Sequence, residues 1–108
     1  MATTIEHDAE RKRYVIEVDG EPAGFSAYEL GEEIVFTHTE IDPRFEGQGL
    51  GSRLVAGALD DVRLRGMTVL PVCPFVRRFM DSNREYADLV PDGLRAAFGL
   101  ADPASARQ

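Results

Sequence analysis

Alternating hydrophobic and polar residues in the first part of the chain predict an antiparallel sheet. The segments with this pattern are Arg13–Val18, Ala23–Leu30 and Glu33–Ile41. Asp19-Gly20 separates the first two segments, and Asp-Gly between such runs is the strongest short-range hairpin signal. Pro43 ends the third segment, because proline has no N–H to donate to a neighbouring strand. We therefore expect a three-stranded antiparallel meander.

The third segment alternates most regularly. Strict alternation places Ile34, Phe36, His38 and Glu40 on one face and Val35, Thr37, Thr39 and Ile41 on the other. The pattern therefore predicts that the polar side chains of His38 and Glu40 lie on the same side of the sheet as Ile34 and Phe36.

After the meander the hydrophobic period changes to that of a helix. The apolar positions at helical spacing are Leu50, Leu54, Val55, Ala58, Leu59 and Val62. Gly66 is the predicted C-terminal cap of this helix. The short apolar run Thr68–Val72 predicts a buried parallel strand, which the chain reaches by a crossover connection. Pro74 suits the first turn of a second helix.

The predicted order is β-β-β-α-β-α, which corresponds to an α+β fold with a mixed, mostly antiparallel sheet. A chain of 108 residues is long enough for one hydrophobic core. We assign residues 1–90 to a single domain. Residues 91–108 are predicted to form a short helix, Leu94–Leu100, followed by a disordered tail.

Composition and charge exclude several classes of protein. The formal net charge of −7 argues against general nucleic-acid binding, which needs a basic surface. No apolar run approaches the roughly 20 residues of a membrane span. Cys73 is the single cysteine, so no internal disulfide is possible and a cytoplasmic location is expected. The two histidines have no ligand spacing with it, so no metal site is predicted.

A run of alternating glycines follows the meander, at residues 46–53, Glu-Gly-Gln-Gly-Leu-Gly-Ser-Arg. Glycines let the backbone turn sharply and leave the amide N–H groups uncovered. The helix that follows begins with free N–H donors and the positive end of its dipole, which together favour a phosphate. The spacing fits neither the dinucleotide-binding fingerprint nor a P-loop, which needs a lysine after its last glycine. From the glycine loop and the start of the helix we predict a ligand that carries a pyrophosphate.

These residues resemble the GCN5-related N-acetyltransferase superfamily, whose acetyl-CoA loop follows the pattern Q/R-x-x-G-x-G/A. The corresponding residues are 46–51, with Glu46 in place of the usual glutamine or arginine. A closer resemblance is to a branch of short, single-domain acetyltransferase-like proteins, in which a glutamate at this position is expected. Residues 38–41, 46–51, 73–76 and 85–90 carry this resemblance, in that order.

The resemblance implies that acetyl-CoA binds as co-substrate in an opening between the predicted strands 34–41 and 68–72. Its pyrophosphate is expected on the main chain of residues 47–52, and its pantetheine arm along Glu40 and Ile41. The cofactor-binding residues implied are Ile41, Glu46, Gly47, Gln48, Gly49, Leu50, Gly51, Ser52 and Arg78. The implied acceptor is a primary amine of a small molecule, a protein lysine or an N-terminus, and the protein is expected as a monomer or weak dimer.

Two catalytic routes are compatible with the sequence. In the first, Cys73 takes the acetyl group and passes it to the amine, with His38 as its base. In the second, His38 or Glu40 deprotonates the amine directly. Many members of the superfamily use a tyrosine as the acid, but the corresponding positions here are near Phe79 and Met80, and Tyr86 comes two turns later.

Less specific interpretations stay open for the same residues. Cys73 between Val72 and Pro74 is also typical of a buried small apolar residue. His38 is compatible with simple packing, and Arg77 and Arg78 with a solvated helix face. The alternative to an acetyltransferase is therefore a module that binds or senses acyl-CoA, or a partner-interaction domain, without efficient catalysis.

Overall fold

A mixed five-stranded sheet organises the protein, and the computed structural model describes residues 2–100 of the chain. Its strands are β1 (Thr3–Asp8), β2 (Arg13–Val18), β3 (Glu21–Leu30), β4 (Ile34–Ile41) and β5 (Val69–Pro71). Their order in the sheet is the order in the sequence. Strands β1 to β4 pair antiparallel, and β5 pairs parallel with β4. The predicted α+β fold with a mostly antiparallel sheet is confirmed.

Two α-helices follow the meander. Helix α1 (Leu50–Leu64) connects β4 to β5, and helix α2 (Pro74–Ser82) follows β5 with Pro74 in its first turn, as predicted. The remaining elements are short 3-10 helices at Pro43–Phe45, Arg84–Leu89, Asp92–Leu94 and Ala96–Phe98. The last two replace the single helix predicted over Leu94–Leu100. The predicted tail, residues 101–108, lies outside the described residues, and the boundary at residue 90 stays a prediction.

Strand β1 is an element that the sequence analysis missed. Its residues, TTIEHD, contain one aliphatic side chain, Ile5, so the alternation of hydrophobic and polar residues is too weak to predict a strand. The strand forms because it pairs with β2 along its whole length, from Thr3 opposite Val18 to Asp8 opposite Arg13. Ile5 also packs beside Gly57 of α1.

The core lies between one face of the sheet and the helices. Tyr14, Ile16 and Phe36 from the strands and Leu54 and Leu59 from α1 are all at most 1% exposed. Burial of each such side chain contributes roughly 1.5–3 kcal/mol before the loss of conformational entropy. The predicted helical periodicity of α1 is confirmed, since its buried residues are those assigned from the pattern together with Gly51.

The opposite face of the sheet, which we call the open face, is not buried in the same way. Its side chains include Glu6, Val15, Phe25, His38 and Glu40, and each of them is half-buried or exposed within the described part of the chain. The helices of residues 2–100 pack on the other side, where the strand residues form the buried cluster. In the described part of the chain, one face of the sheet is therefore accessible to solvent.

A β-bulge in β4 overturns the predicted alternation. Ala27 pairs with His38 whereas Tyr28 pairs with Phe36, so Thr37 has no opposing residue. An extra residue exchanges the two faces of the strand from that point onward. His38 and Glu40 consequently lie on the open face, opposite to Phe36, and the prediction that all three share a face is wrong.

Candidate active site

The sheet opens between β4 and β5. The last paired residues are Phe36 and Pro71, and the N–H of Cys73 then donates to the carbonyl of Phe36 at 2.7 Å. Beyond this bond the chain of β5 turns into α2, while β4 continues to Ile41. Among residues 2–100, the second half of β4 therefore has no neighbouring strand on this side.

The main chain of β4 presents hydrogen-bonding groups towards this opening. The N–H of Asp42 donates to the carbonyl of Ala23 on β3 at 2.7 Å. Because successive residues of a strand direct their main-chain groups to opposite edges, those of Thr39 and Ile41 face away from β3. An extended ligand can therefore pair with β4 as an added strand.

A cavity of about 410 Å³ lies between β4 and the start of α1. Its lining residues are Thr39, Ile41, Phe45, Glu46, Gly47, Gly49, Leu50, Gly51, Ser52 and Phe75. All of the cofactor-binding residues predicted from the resemblance except Gln48 and Arg78 are among them. The structure thus brings the glycine loop together with the unpaired edge of β4.

The glycine loop has a backbone that favours glycine at two positions. Gly47 and Gly49 have φ angles of 82° and 72°, in the left-handed region that other residues rarely adopt. Gly49 is the N-cap of α1 and supplies no side chain to its N–H groups. The first N–H donors of α1 are therefore free of a side-chain cap, and with the helix dipole they favour an anion.

Gly51 has a different role from the other two glycines. A Cβ atom built on Gly51 lies 2.6 Å from Cζ of Phe75, which is too close for any side chain. The absence of a side chain at Gly51 thus lets the start of α1 contact α2, and Phe75 forms one wall of the cavity. Sequence reasoning assigned this glycine to the ligand loop alone and missed the packing.

Three arginines lie in the first two turns of α1 and α2, and the first residues of these helices line the cavity. Most arginines of this acidic chain form ion pairs, such as Arg63 with Asp88 and Arg65 with Asp61. Within residues 2–100, Arg53, Arg77 and Arg78 form no ion pair, and they lie near the N-termini of α1 and α2. All three are exposed. The first turns of both helices therefore carry positive charge, from the helix dipole and from these side chains.

Cys73 lies at the N-cap of α2 and is only 3% exposed. Its thiol donates to Oγ1 of Thr39 with a sulfur–oxygen distance of 3.4 Å. The hydroxyl of Thr39 also bonds with that of Ser26 at 2.9 Å, and Ser26 is completely buried. The two hydroxyls were not candidates from the sequence, because only the bulge in β4 turns Thr39 towards Cys73.

His38 and Glu40 form a separate pair on the open face. The distance between Nε2 of His38 and Oε2 of Glu40 is 2.8 Å, and both side chains are more than half exposed. The ring of His38 also lies 6.0 Å from that of Phe25. The structure brings His38 to Glu40, but it places the hydrogen bond of Cys73 on Thr39 at the other face of β4.

Tyr86 does not take the position of the tyrosine that is missing from α2. Its hydroxyl donates to Asp60 of α1 at 2.9 Å, and its ring packs 5.6 Å from that of Phe79. Burial and this hydrogen bond to Asp60 raise the pKa of Tyr86. The side chain is therefore held between Asp60 of α1 and Phe79 of α2.

Two further features concern metals and membranes. Among residues 2–100 no group of three or more His, Cys, Asp or Glu side chains is placed to hold a metal ion. Neither α1 nor any other helix of the described range is long and apolar enough to cross a membrane.

One family model and several solved structures are similar to this chain. A family model described as GCN5-related N-acetyl-transferase matches residues 13–89. The solution structure of a GCN5-like protein from Staphylococcus aureus is similar with a TM-score of 0.62 and 19% identity, over 82% of this chain and 87% of that one. Ribosomal-protein-alanine N-acetyltransferase from Brucella melitensis biovar Abortus 2308 gives a TM-score of 0.45 at 18% identity, over 73% and 60%. No curated protein sequence matches the chain. The matched range 13–89 contains β4, the glycine loop and Cys73.

Proposed function

The chain belongs to the GCN5-related N-acetyltransferase family, and from this premise we propose that it transfers an acetyl group from acetyl-CoA to a primary amine. One observation carries the proposal. The uncapped start of α1, the cavity along the free edge of β4 and three exposed arginines of α1 and α2, Arg53, Arg77 and Arg78, occur together. Each suits a different part of acetyl-CoA.

The pyrophosphate binds to main-chain N–H groups of residues 47–52, where the left-handed glycines leave the approach open. Arg53 and Arg78 supply positive charge for the remaining phosphate. The pantetheine amides pair with the free edge of β4 at Ile41. A main-chain N–H on the same edge, at Thr39 or Ile41, donates to the thioester oxygen as negative charge develops on it.

The first chemical step transfers the acetyl group to Cys73. The sulfur attacks the carbonyl carbon, the bond between that carbon and the sulfur of CoA breaks, and the thiol proton of Cys73 ends on the departing CoA sulfur. Thr39 orients the thiol through their hydrogen bond. Because Cys73 is 3% exposed, this step requires a small displacement of the side chains at the cavity wall, Thr39 and Phe75.

The second step transfers the acetyl group from Cys73 to the amine. The amine nitrogen attacks the thioester carbon and the bond to the sulfur of Cys73 breaks, so that the sulfur leaves as a thiolate and then takes up the proton that the amine has lost. The pair of Glu40 and His38 accepts the proton that the amine loses. Direct transfer to the amine uses the same pair without the acetyl-cysteine.

A second candidate is an acyl-CoA-binding module without efficient turnover. The burial of Cys73 favours this candidate, as does the separation of Cys73 from His38 across β4. The engagement of Tyr86 with Asp60 also removes the nearest tyrosine as an acid. In this case the CoA site described above is retained, whereas the transfer steps are absent.

Release of free CoA thiol with a panel of primary amines tests the proposal. We expect turnover by the wild type, and intact-mass spectrometry without amine is expected to show one acetyl group on Cys73 that is absent from Cys73→Ala. Retention of turnover by Cys73→Ala contradicts the acetyl-cysteine and favours direct transfer. Binding of acetyl-CoA without turnover of any amine favours the binding module.

A further inference from the structure

Four residues form a straight row across the open face. Glu6 on β1 pairs with Val15 on β2, Val15 pairs with Phe25 on β3, and Phe25 pairs with Glu40 on β4. The row therefore has an apolar centre and a carboxylate at each end. One of these carboxylates, Glu40, belongs to the pair with His38 that accepts the proton of the amine in the proposed function.

The row forms the floor of a groove of about 710 Å³. Its charged lining residues are Glu6, Asp8, Arg11, Arg13, Glu17, Glu40 and Asp42. Arg11 is paired with Asp8, and the guanidinium group of Arg13 lies 5.1 Å above the ring of Phe25. Within residues 2–100, Glu6, Glu17 and Arg13 have no ion pair, and the lining holds five carboxylates against two guanidinium groups, so the groove carries an excess of negative charge.

The shape of the groove favours a polypeptide over a small molecule. Small ligands bind in concave pockets that bury most of their surface. Here the side chains of Glu6 and Glu40 are exposed, and the floor is the face of a sheet. An extended chain that spans the groove contacts Val15 and the stacked pair of Arg13 and Phe25, which a short amine bound at Glu40 does not reach.

We propose that the acceptor is an extended, lysine-bearing polypeptide segment that lies across the strands of the open face. This inference rests on the proposed function. The lysine to be acetylated is at Glu40 and His38, next to the opening of the sheet, and a second basic side chain is at Glu6. Complementary charge holds the segment, and Val15 and the stacked pair of Arg13 and Phe25 contact the residues between the two basic positions.

The register of the sheet fixes the spacing of the two basic residues. Glu6 and Glu40 are separated by three strand-to-strand spacings, which is about 14 Å at ~4.8 Å each. An extended peptide advances about 3.3 Å per residue, so roughly four residues span this distance with both side chains on the same face. The second basic residue is therefore four positions before or after the target lysine.

Calorimetric titration of short peptides into the full chain, without acetyl-CoA, tests the proposal at low ionic strength. The first probe carries a single lysine. In the other probes a second lysine lies four positions before the first, four positions after it, or three positions from it. We expect one of the four-position peptides to bind about threefold to tenfold more tightly than the other probes, because a second exposed charge pair adds modest affinity. In an extended peptide with the second lysine three positions away, the two lysine side chains point to opposite faces, so the second one points away from Glu6.

Variants of Glu6 assign the effect to this surface. Glu6→Gln is expected to reduce affinity for the preferred two-lysine peptide to that for the one-lysine peptide, and Glu6→Lys to reduce it further. Glu32→Gln is the matched control, since Glu32 is an exposed glutamate in the turn before β4 and lies outside the groove. It is expected to leave both affinities unchanged.

Three outcomes overturn the proposal: equal affinity for all peptides, an equal effect of Glu6→Gln and Glu32→Gln, or binding of a linear polyamine with the same dependence on Glu6. The last result assigns the groove to a small molecule. If peptide binding depends on Glu6 but no acetyl group is transferred, the open face is the peptide-binding surface and the proposed function is wrong. Failure of this inference can therefore be distinguished from failure of the proposed function.

Discussion

The thiol of Cys73 donates a hydrogen bond to the hydroxyl of Thr39, with 3.4 Å between sulfur and oxygen. This bond connects the start of α2 to the part of β4 that extends beyond its pairing with β5. Thr39 in turn bonds with Ser26, whose side chain is inaccessible to solvent. Within residues 2–100 the cysteine is therefore held by a short chain of hydroxyl groups that ends at the buried Ser26, and it has no histidine partner.

We expect Thr39→Val to destabilise the protein by about 1–3 kcal/mol, because Ser26 loses its partner while it remains buried. The double variant Ser26→Ala/Thr39→Val is expected to be less destabilised than the sum of the single variants, since it leaves no unpaired hydroxyl. Urea unfolding of all four proteins measures these differences. A Thr39→Val variant as stable as the wild type contradicts this account of the pair.

Gly51→Ala is expected to destabilise the protein by about 1–3 kcal/mol, although alanine is the better helix former. The reason is the 2.6 Å approach of the new Cβ atom to Cζ of Phe75. Thermal unfolding compares this variant with Gly51→Ala/Phe75→Leu, in which the ring is removed and stability is expected to recover in part. A stabilising effect of Gly51→Ala alone shows instead that helix propensity dominates at this position.

The stability of the protein is expected to fall as the pH decreases from about 7 to about 5.5. Burial lowers the pKa of His7, with a further contribution from the charge of Arg65, against the opposing effect of Asp61. His7 accordingly binds a proton less readily in the folded protein than in the unfolded chain, where its pKa is about 6.5. The contribution of His7 to the free energy of unfolding is therefore fully present above that pH and decreases as the pH falls below it.

Chemical unfolding at several pH values checks this sign. His7→Gln is expected to flatten the dependence, while His38→Gln retains it, because His38 lies on the open face and not in the cluster of His7, Tyr28 and Asp61. A slope in the wild type that persists in His7→Gln assigns the effect to other groups.

Several elements were predictable because local sequence decides them. The period of α1, the proline at the start of α2 and the glycine loop depend on nearby residues, and the structure agrees with each. Strand β1 was not predictable, because only Ile5 carries an apolar signal and its pairing with β2 decides its conformation. Local sequence patterns contain no information about which strands pair with each other.

The bulge at Thr37 explains why the site was harder to predict than the fold. Threonine is an ordinary strand residue, so nothing in the sequence marks the extra position. The predicted faces were therefore correct up to Phe36 and reversed after it. As a consequence the sequence suggested His38 as the neighbour of Cys73, whereas the structure pairs Cys73 with Thr39.

Binding of acetyl-CoA at the start of α1 is the central claim, and calorimetry on the wild type, Ser52→Gln and Ser52→Glu tests it. Ser52 is the third residue of α1 and lines the cavity, and glutamate at this position favours the helix while its charge repels a phosphate. We expect the wild type and Ser52→Gln to bind, and Ser52→Glu to bind at least about tenfold more weakly with undiminished thermal stability. Equal binding by Ser52→Glu, or no binding by folded wild type, contradicts the claim.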